Sequence, residues 1–366
     1  MSELMERTEE VARTLPPIAE AGEPGTVNLP LLKALAAAGL LGEVFRRDDD
    51  GYTPVSAMAL CLIREGLARH CTEAETAFAL QGLGAYPILL AGQKSTVDNW
   101  IPRIAAGEVA VGFALTEPDA GSDAASLSLS AVRDGDSFRL NGEKAFISNA
   151  PQAAVYSVFA RTGEPGPRGI TAFAVQGNAA GLSGTRQTLL SPHPIGRLRF
   201  DDVAVPMAAV LGEVDGGWRV AMRTLDMFRP SVGAFALGMA QAALNAAVRH
   251  TADRQAFGRP LSKFQAVSHQ LAEVATRLHA ARLLVHDAAA AYDSGVGRTG
   301  HLSAMAKLFA TETAQVAVDV AVQVHGARAL EQGHLLEHLY REVRAPRIYE
   351  GASEIQREII ARQLYR

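Results

Sequence analysis

Residues 111–149, VGFALTEPDAGSDAASLSLSAVRDGDSFRLNGEKAFISN, mark where the periodicity of the chain changes. Upstream, apolar positions recur at helical spacing; from here the period falls toward two. LSLSAV (127–132) and SFRL (137–140) are short and apolar on alternate positions. Asp134-Gly135-Asp136 between them is a hairpin signal, and Asn141-Gly142 reads as another, because both pairs accept the left-handed backbone of tight turns. The pattern continues through AVYSVFA (154–160), ITAFAV (170–175) and RLRFDDVAV (197–205). It predicts an antiparallel β domain over 111–214.

Outward from this stretch the chain reads as helical. On the N-terminal side, LLKALAAAGLLG (31–42), SAMALCLIREGLARHC (56–71) and STVDNWIPRIAAG (95–107) carry a helical period, with Gly39 and Gly42 as stop signals. On the C-terminal side, Ala- and Leu-rich segments predict helices over 217–250, 261–294, 301–325 and 353–364. Breaks are expected at Gly258-Arg259-Pro260, Ser294-Gly295-Val296-Gly297 and Gly326. Within the first segment, Arg229-Pro230 opens an Ala/Gly-rich run, VGAFALGMAQAAL, with Asp226 one turn earlier. The expected fold class is α+β: an N-terminal helical domain (1–110), the central antiparallel β domain (111–214) and a C-terminal bundle of four-helix type (215–366).

Composition narrows the function. The 366 residues are 48% apolar and 20% charged, with a net charge of −4, so no basic excess points to nucleic acid. Cys61 and Cys71 lack metal or redox spacing and read as buried small side chains. The charged start, MSELMERTEEVARTLPP, has no apolar centre of the secretory kind, and no unbroken run reaches the ~18 apolar residues of a membrane helix. A cytoplasmic protein without a membrane span is expected.

Three segments carry chemistry. Leu115-Thr116-Glu117-Pro118-Asp119-Ala120-Gly121-Ser122-Asp123 follows an apolar strand and reads either as a polar turn or as a cradle of N–H groups and hydroxyls for a polar ligand. In Lys144-Ala145-Phe146-Ile147-Ser148-Asn149 a ring and a hydroxyl sit two apart on one face of a strand. The pair is either core plus surface, or a stacking ring beside a hydrogen-bond donor. In Arg347-Ile348-Tyr349-Glu350-Gly351-Ala352-Ser353-Glu354-Ile355-Gln356-Arg357, Glu350-Gly351 ends one element, and Ser353 with Gln356 reads as a capping box for the last helix.

Taken together these segments resemble the acyl-CoA dehydrogenase family, from about residue 85 to 364 and more weakly upstream. LTEPDAGSD is similar to the family's first signature and AFISN to its flavin-contacting strand. The resemblance implies FAD, with Phe113, Leu115, Thr116, Phe146 and Ser148 around its ring and Ser122 near both the flavin pyrophosphate and the CoA arm. The family's usual Trp and Thr are here Phe146 and Ser148. Asp226, Arg229, Tyr349 and Gly351 are implied for the acyl-CoA substrate. Arg254, Phe257, Gln265, Gln323, Ala327 and Ala352 are implied for the rest of the cofactor, the first three in a neighbouring subunit's site. Glu350 is implied as the catalytic base; the family's other position for a base is Phe228 here, which cannot accept a proton.

The resemblance further implies a homo-oligomer, a dimer of dimers, and an electron-transfer flavoprotein as electron acceptor. Two departures stand out. Ala327 and Ala329 replace family glycines in QVHGARA, adding Cβ atoms beside the cofactor's ADP part, and LLSPHPIGRLRF (189–200) is shortened. Alternatives at this level are a dioxygen-using oxidase or monooxygenase of the same fold, a dehydrogenase of a carrier-protein-bound acyl group, and a non-catalytic scaffold.

Overall fold

In the computed structural model, which describes residues 2–49, 51–53, 55–295 and 299–365, helices lie at both ends of the chain and strands in the middle. Helices α1 (Ser2–Ala12), α2 (Pro16–Glu20), α3 (Leu29–Ala37) and α4 (Leu40–Val44) precede a short ladder of β1 (Arg47–Asp48) and β2 (Gly51–Tyr52). Next come α5 (Ala57–Ala68), α6 (Thr72–Ala91) and α7 (Lys94–Ala105). Strands β3 (Val111–Ala114), β4 (Ser130–Asp134), β5 (Ser137–Ser148), β6 (Val155–Arg161), β7 (Ile170–Gln176), β8 (Leu182–Arg186), β9 (Ile195–Pro206) and β10 (Val210–Leu211) follow. The chain ends with α8 (Gly217–Asp253), a hairpin of β11 (Gln255–Ala256) and β12 (Arg259–Pro260), α9 (Gln265–Asp293), α10 (Gly300–His325), α11 (Leu335–Glu342) and α12 (Ser353–Leu364). The fold class is the expected α+β.

Two compact units make up the chain. The sheet unit comprises Leu15–Val55 and Thr76–Leu225; the helical unit comprises Met1–Thr14, Ser56–Glu75 and Asp226–Arg366.

In the sheet unit the strand order is β10-β7-β6-β4-β5-β9-β8, and β3 pairs in parallel with β6. Phe138, Leu140, Ile147, Val158, Phe173, Leu198, Phe200 and Val203 belong to its buried core, and the alternation along β5 and β9 changes parity at the irregularities in their register. The Asp134–Asp136 turn joins β4 to β5, with Gly135 at φ +59°. Asn141-Gly142, by contrast, lies inside β5: Gly142 sits at an irregularity in the register with β9, so a 12-residue strand replaces the predicted four-residue one. The turn signal was real as a demand for unusual backbone, and the sheet met it with a bulge. Gly39 does separate two helices, whereas Gly42 is inside α4. The side-chain amide of Gln81 on α6 donates to Ile104 O (3.2 Å) and Val109 O (2.9 Å) and accepts from Val111 N (3.2 Å), fixing where β3 begins.

In the helical unit α1 packs on α5, α5 on α9, α9 on α10, and α10 on α11 and α12. Helix α8 does not open at Pro230 but runs through it. Pro230 has no N–H, which leaves Asp226 O without its helical donor; the Ser303 hydroxyl of α10 donates to that oxygen at 3.3 Å. By length and composition α8 is apolar enough to cross a membrane, although polar residues such as Gln241 interrupt its apolar run. Its most apolar stretch is 72% buried in protein, as in a core helix. Helix α11 was also missed: it has two turns, and its buried positions are Leu336, Leu339 and Glu342. The predicted break at Ser294–Gly297 extends past the described residues, and Cys61 and Cys71 are free and buried.

Candidate active site

The two signature segments of the sheet unit are fastened together by a buried ion pair. Lys144 Nζ lies 2.8 Å from Glu117 Oε1 and donates to Leu115 O at 2.9 Å; Lys144 is 0% and Glu117 4% exposed. Glu117 also accepts from Ser128 N (2.6 Å), Ser128 Oγ (2.8 Å) and Leu129 N (2.9 Å). Burial lowers the Lys144 ammonium to about 8, against the pull of Glu117. Burial alone would raise the Glu117 carboxyl, but Lys144 and the N–H donors outweigh it and hold it below the usual carboxylate range. Ala145 N donates to Thr116 O at 3.0 Å, so Leu115, Thr116 and β5 form one rigid piece.

Phe146 stands on that piece in a left-handed backbone, φ +56°, where the register between β5 and β9 shifts between Lys144 and Ile147. Its N–H donates to Gln187 Oε1 at 2.9 Å, and its ring is 50% exposed. Ile147 is buried, while Phe146 and Ser148 keep accessible surface. The hydroxyls of Thr116 and Ser148 have no partner among the described residues. Gly112 lets β3 pass close by: a Cβ there would be 3.0 Å from Ser148 O and 2.6 Å from the Tyr156 ring. Phe113 packs on Phe159 with ring centroids 5.0 Å apart, and Ser122 is exposed in the turn. An exposed, rigidly held aromatic face beside free hydroxyls fits a flat heterocycle such as a flavin ring.

In the helical unit the loop before α12 carries Glu350. Glu350 (φ +52°) and Gly351 (φ +95°) are consecutive left-handed residues, a conformation that costs a residue with a side chain about 1–3 kcal/mol. Side chains hold the loop's carbonyls. Lys307 Nζ donates to Tyr349 O (3.0 Å) and Gly351 O (2.6 Å). Gln356 Nε2 donates to Glu350 O (3.3 Å) and Gly351 O (2.8 Å), and Arg229 Nε to Glu350 O (3.4 Å). The capping box is therefore not formed. Ala352 is the N-cap of α12, the Ser353 hydroxyl donates to Glu312 Oε1 at 2.6 Å, and Gln356 turns back onto the loop.

Glu350 Oε2 is closed off from solvent without a hydrogen-bond partner, although part of the residue's surface remains accessible. Burial raises its pKa above the ordinary carboxylate value, against the lowering pull of Arg64, Lys307 and Arg229. Arg64, itself buried, is paired with Glu75 and donates to Ser231 Oγ (2.7 Å); Arg229 is paired with Asp226 at 2.7 Å. The Asp226 side chain keeps 36% of its surface exposed while that of Arg229 keeps 7%. Phe228 is fully buried. A shielded, unpaired carboxylate with a raised pKa is equipped to take a proton.

The remaining candidates form a second group of the same unit. Phe257 (φ +51°) tips the β11–β12 hairpin and is 96% exposed. Arg254, Gln265, Gln323 and Ala327 are exposed as well. The ends of α8 and α10 meet through His250 and His325, whose rings stack at 4.1 Å, which brings the Arg254 and Gln323 segments into one neighbourhood. Neither Ala327 nor Ala329 has a positive φ, so the backbone there does not demand glycine.

Sequence reasoning passed over Lys307, Arg64, Glu117, Lys144 and Gln187. For Lys307 a signal existed, a single cation in the apolar run SAMAKLFA (303–310). The role of Gln187 had none.

Comparison with known proteins places these features. The chain matches the acyl-CoA dehydrogenase N-terminal, middle and C-terminal domains over residues 3–108, 112–203 and 215–365. It is 36% identical over 355 residues (96% of this chain, 93% of the relative) to cyclohexane-1-carbonyl-CoA dehydrogenase of Geobacter metallireducens. Its fold matches butyryl-CoA dehydrogenase from Megasphaera elsdenii at TM-score 0.92 and 30% identity, covering 100% and 99% of the two chains. PigA, solved with FAD and proline, matches at TM-score 0.93 and 25% identity, covering 100% and 97%.

Proposed function

We propose, on the premise that this chain belongs to the acyl-CoA dehydrogenase family and is an oxidoreductase of that family, that it oxidises the Cα–Cβ bond of an acyl-CoA thioester with Glu350 as the base. The observation that carries this reading is Glu350 Oε2, shielded and without a partner. Its carboxylate takes the α proton, and its raised pKa makes it a stronger base than an ordinary Glu. FAD, when bound, supplies the acceptor for the β hydrogen as hydride. Phe146 would stack on the ring, and the Thr116 and Ser148 hydroxyls would hold its edge. Ser122 would serve the pyrophosphate. Asp226, with its partly exposed carboxylate, faces the CoA arm, and Arg229 supports the base loop from within.

The exposed Arg254, Phe257 and Gln265 serve the diphosphate of a neighbouring subunit's FAD, and Gln323 and Ala327 serve the ADP part of the cofactor. The working form in this reading is a cytoplasmic homo-oligomer, a dimer of dimers, that hands its electrons to an electron-transfer flavoprotein.

The test is an anaerobic titration of the flavin-loaded protein with acyl-CoA thioesters, including butyryl-CoA and cyclohexane-1-carbonyl-CoA, while the visible flavin band is followed. Bleaching by a thioester, lost in Glu350→Gln with flavin still bound, is expected. Full bleaching by Glu350→Gln removes Glu350 from the mechanism. A flavin that no thioester bleaches overturns the CoA reading in favour of a carrier-bound acyl group.

A further inference from the structure

Lys307 is completely buried on α10, yet its hydrogen bonds go to backbone carbonyls, and no carboxylate lies within ion-pair distance among the described residues. A buried ammonium without a paired anion is costly, and such groups are found where their position does something. Its two acceptors, Tyr349 O and Gly351 O, flank Glu350. Glu350 occupies a strained left-handed backbone that persists only if its surroundings over-determine it.

We propose that Lys307 is a positioning residue: by bonding the carbonyls on either side of Glu350, its ammonium holds the base loop in its left-handed form and keeps the carboxylate in place. The proposal rests on Glu350 being the base. Lys307 does not touch substrate; it acts through the loop and through its charge. The charged groups facing this locus are Arg64 on α5, paired with Glu75 on α6; Arg229 on α8, paired with Asp226; Lys307 on α10 with Glu312 one turn away; and Glu354 on α12. Among these cations, Lys307 is the one that makes no ion pair with a carboxylate among the described residues, so its removal withdraws a positive charge from beside Glu350. Burial lowers its own pKa to about 8, against the pull of Glu350.

The experiment compares flavin-loaded wild type with Lys307→Met, Lys307→Arg and Gln356→Leu, taking kcat and KM across pH with the best thioester. In Lys307→Met kcat is expected to fall about tenfold to a hundredfold, as for a misplaced catalytic group, with KM nearly unchanged. The acid limb of its kcat profile should move up by about one pH unit, because a nearby cation no longer favours the carboxylate. Gln356→Leu and Lys307→Arg keep the charge, so kcat should fall without movement of the limb. If Lys307→Met does not fold, Lys307→Arg and Gln356→Leu decide: unchanged kcat in both overturns the proposal.

Infrared titration of the Glu350 carboxyl, identified by its loss in Glu350→Gln, reads the same shift without turnover. A Lys307→Met enzyme with wild-type kcat and an unmoved limb, in a protein where Glu350→Gln is inactive, overturns the positioning role alone. An active Glu350→Gln overturns the base assignment on which it rests.

Discussion

Lys144 and Glu117 meet as an ion pair 2.8 Å apart and shut off from water, and the same ammonium holds Leu115 O at 2.9 Å. One contact thus joins the turn after β3 to the middle of β5, and the platform carrying Thr116 and Phe146 is built on it. Removing one partner of a buried pair strands the other charge, at a cost of about 3–5 kcal/mol, whereas removing both can be nearly neutral. Lys144→Met should lose stability by that amount in chemical denaturation, and Lys144→Met/Glu117→Leu should recover at least half of it. Equal losses in the two variants would show that the stranded carboxylate is not the source.

Burial makes Glu350 a liability for folding. Its folded pKa is raised above the unfolded value, so between the two the folded state binds the extra proton. Stability therefore falls as pH rises from the ordinary Glu range through the raised folded pKa, and the loss is complete above it. Glu350→Gln, neutral and of the same shape, should raise Tm by a few degrees at neutral pH. The gain should fade as pH falls below the ordinary Glu range. Thermal melts across pH check this; a Tm gain independent of pH would refute the linkage.

Phe146 combines a useful ring with a costly backbone, φ +56°. Glycine has no Cβ penalty there, which is about 1–2 kcal/mol for other residues. Phe146→Gly should match or exceed the wild type in Tm of the flavin-free protein. It should also bind FAD about threefold to tenfold more weakly, the worth of one stacked ring. Flavin fluorescence titration together with apoprotein melts separates the two effects. Unchanged FAD affinity would remove Phe146 from the ring site.

Gly351 sits at φ +95°, and a Cβ there would collide with the Gln356 amide. Gly351→Ala should cost about 1–2 kcal/mol of stability and push away the donor that holds Glu350 O. The fall in kcat should exceed tenfold with a smaller change in KM, read from steady-state kinetics beside a Tm measurement. Normal kcat in a destabilised protein would mean that turnover does not depend on how tightly the Glu350 loop is held.

Much of this molecule was legible from local pattern. The change of period at residue 111 announced the sheet, the Ala-rich helical period announced the bundle, and the motif residues carried the resemblance to the acyl-CoA dehydrogenase family. These features lie within a few residues of one another, and pleat or helix geometry alone turns them into faces.

What only the tertiary structure decided depends on partners far apart in the chain. Asn141-Gly142 became a bulge rather than a turn because β9 pairs across it. Ser353 and Gln356 left the capping box for Glu312 and the Glu350 loop. Lys144 reaches Glu117 across 27 residues, and Lys307 reaches Tyr349 across 42. Burial is the physical reason: a lysine in water is a solvated surface charge, and the same lysine enclosed by the fold must find oxygens, which determines the backbone it holds. The sequence singled out Glu350 as a candidate; the folded chain around it decided its backbone, its partners and the direction in which its proton affinity moves.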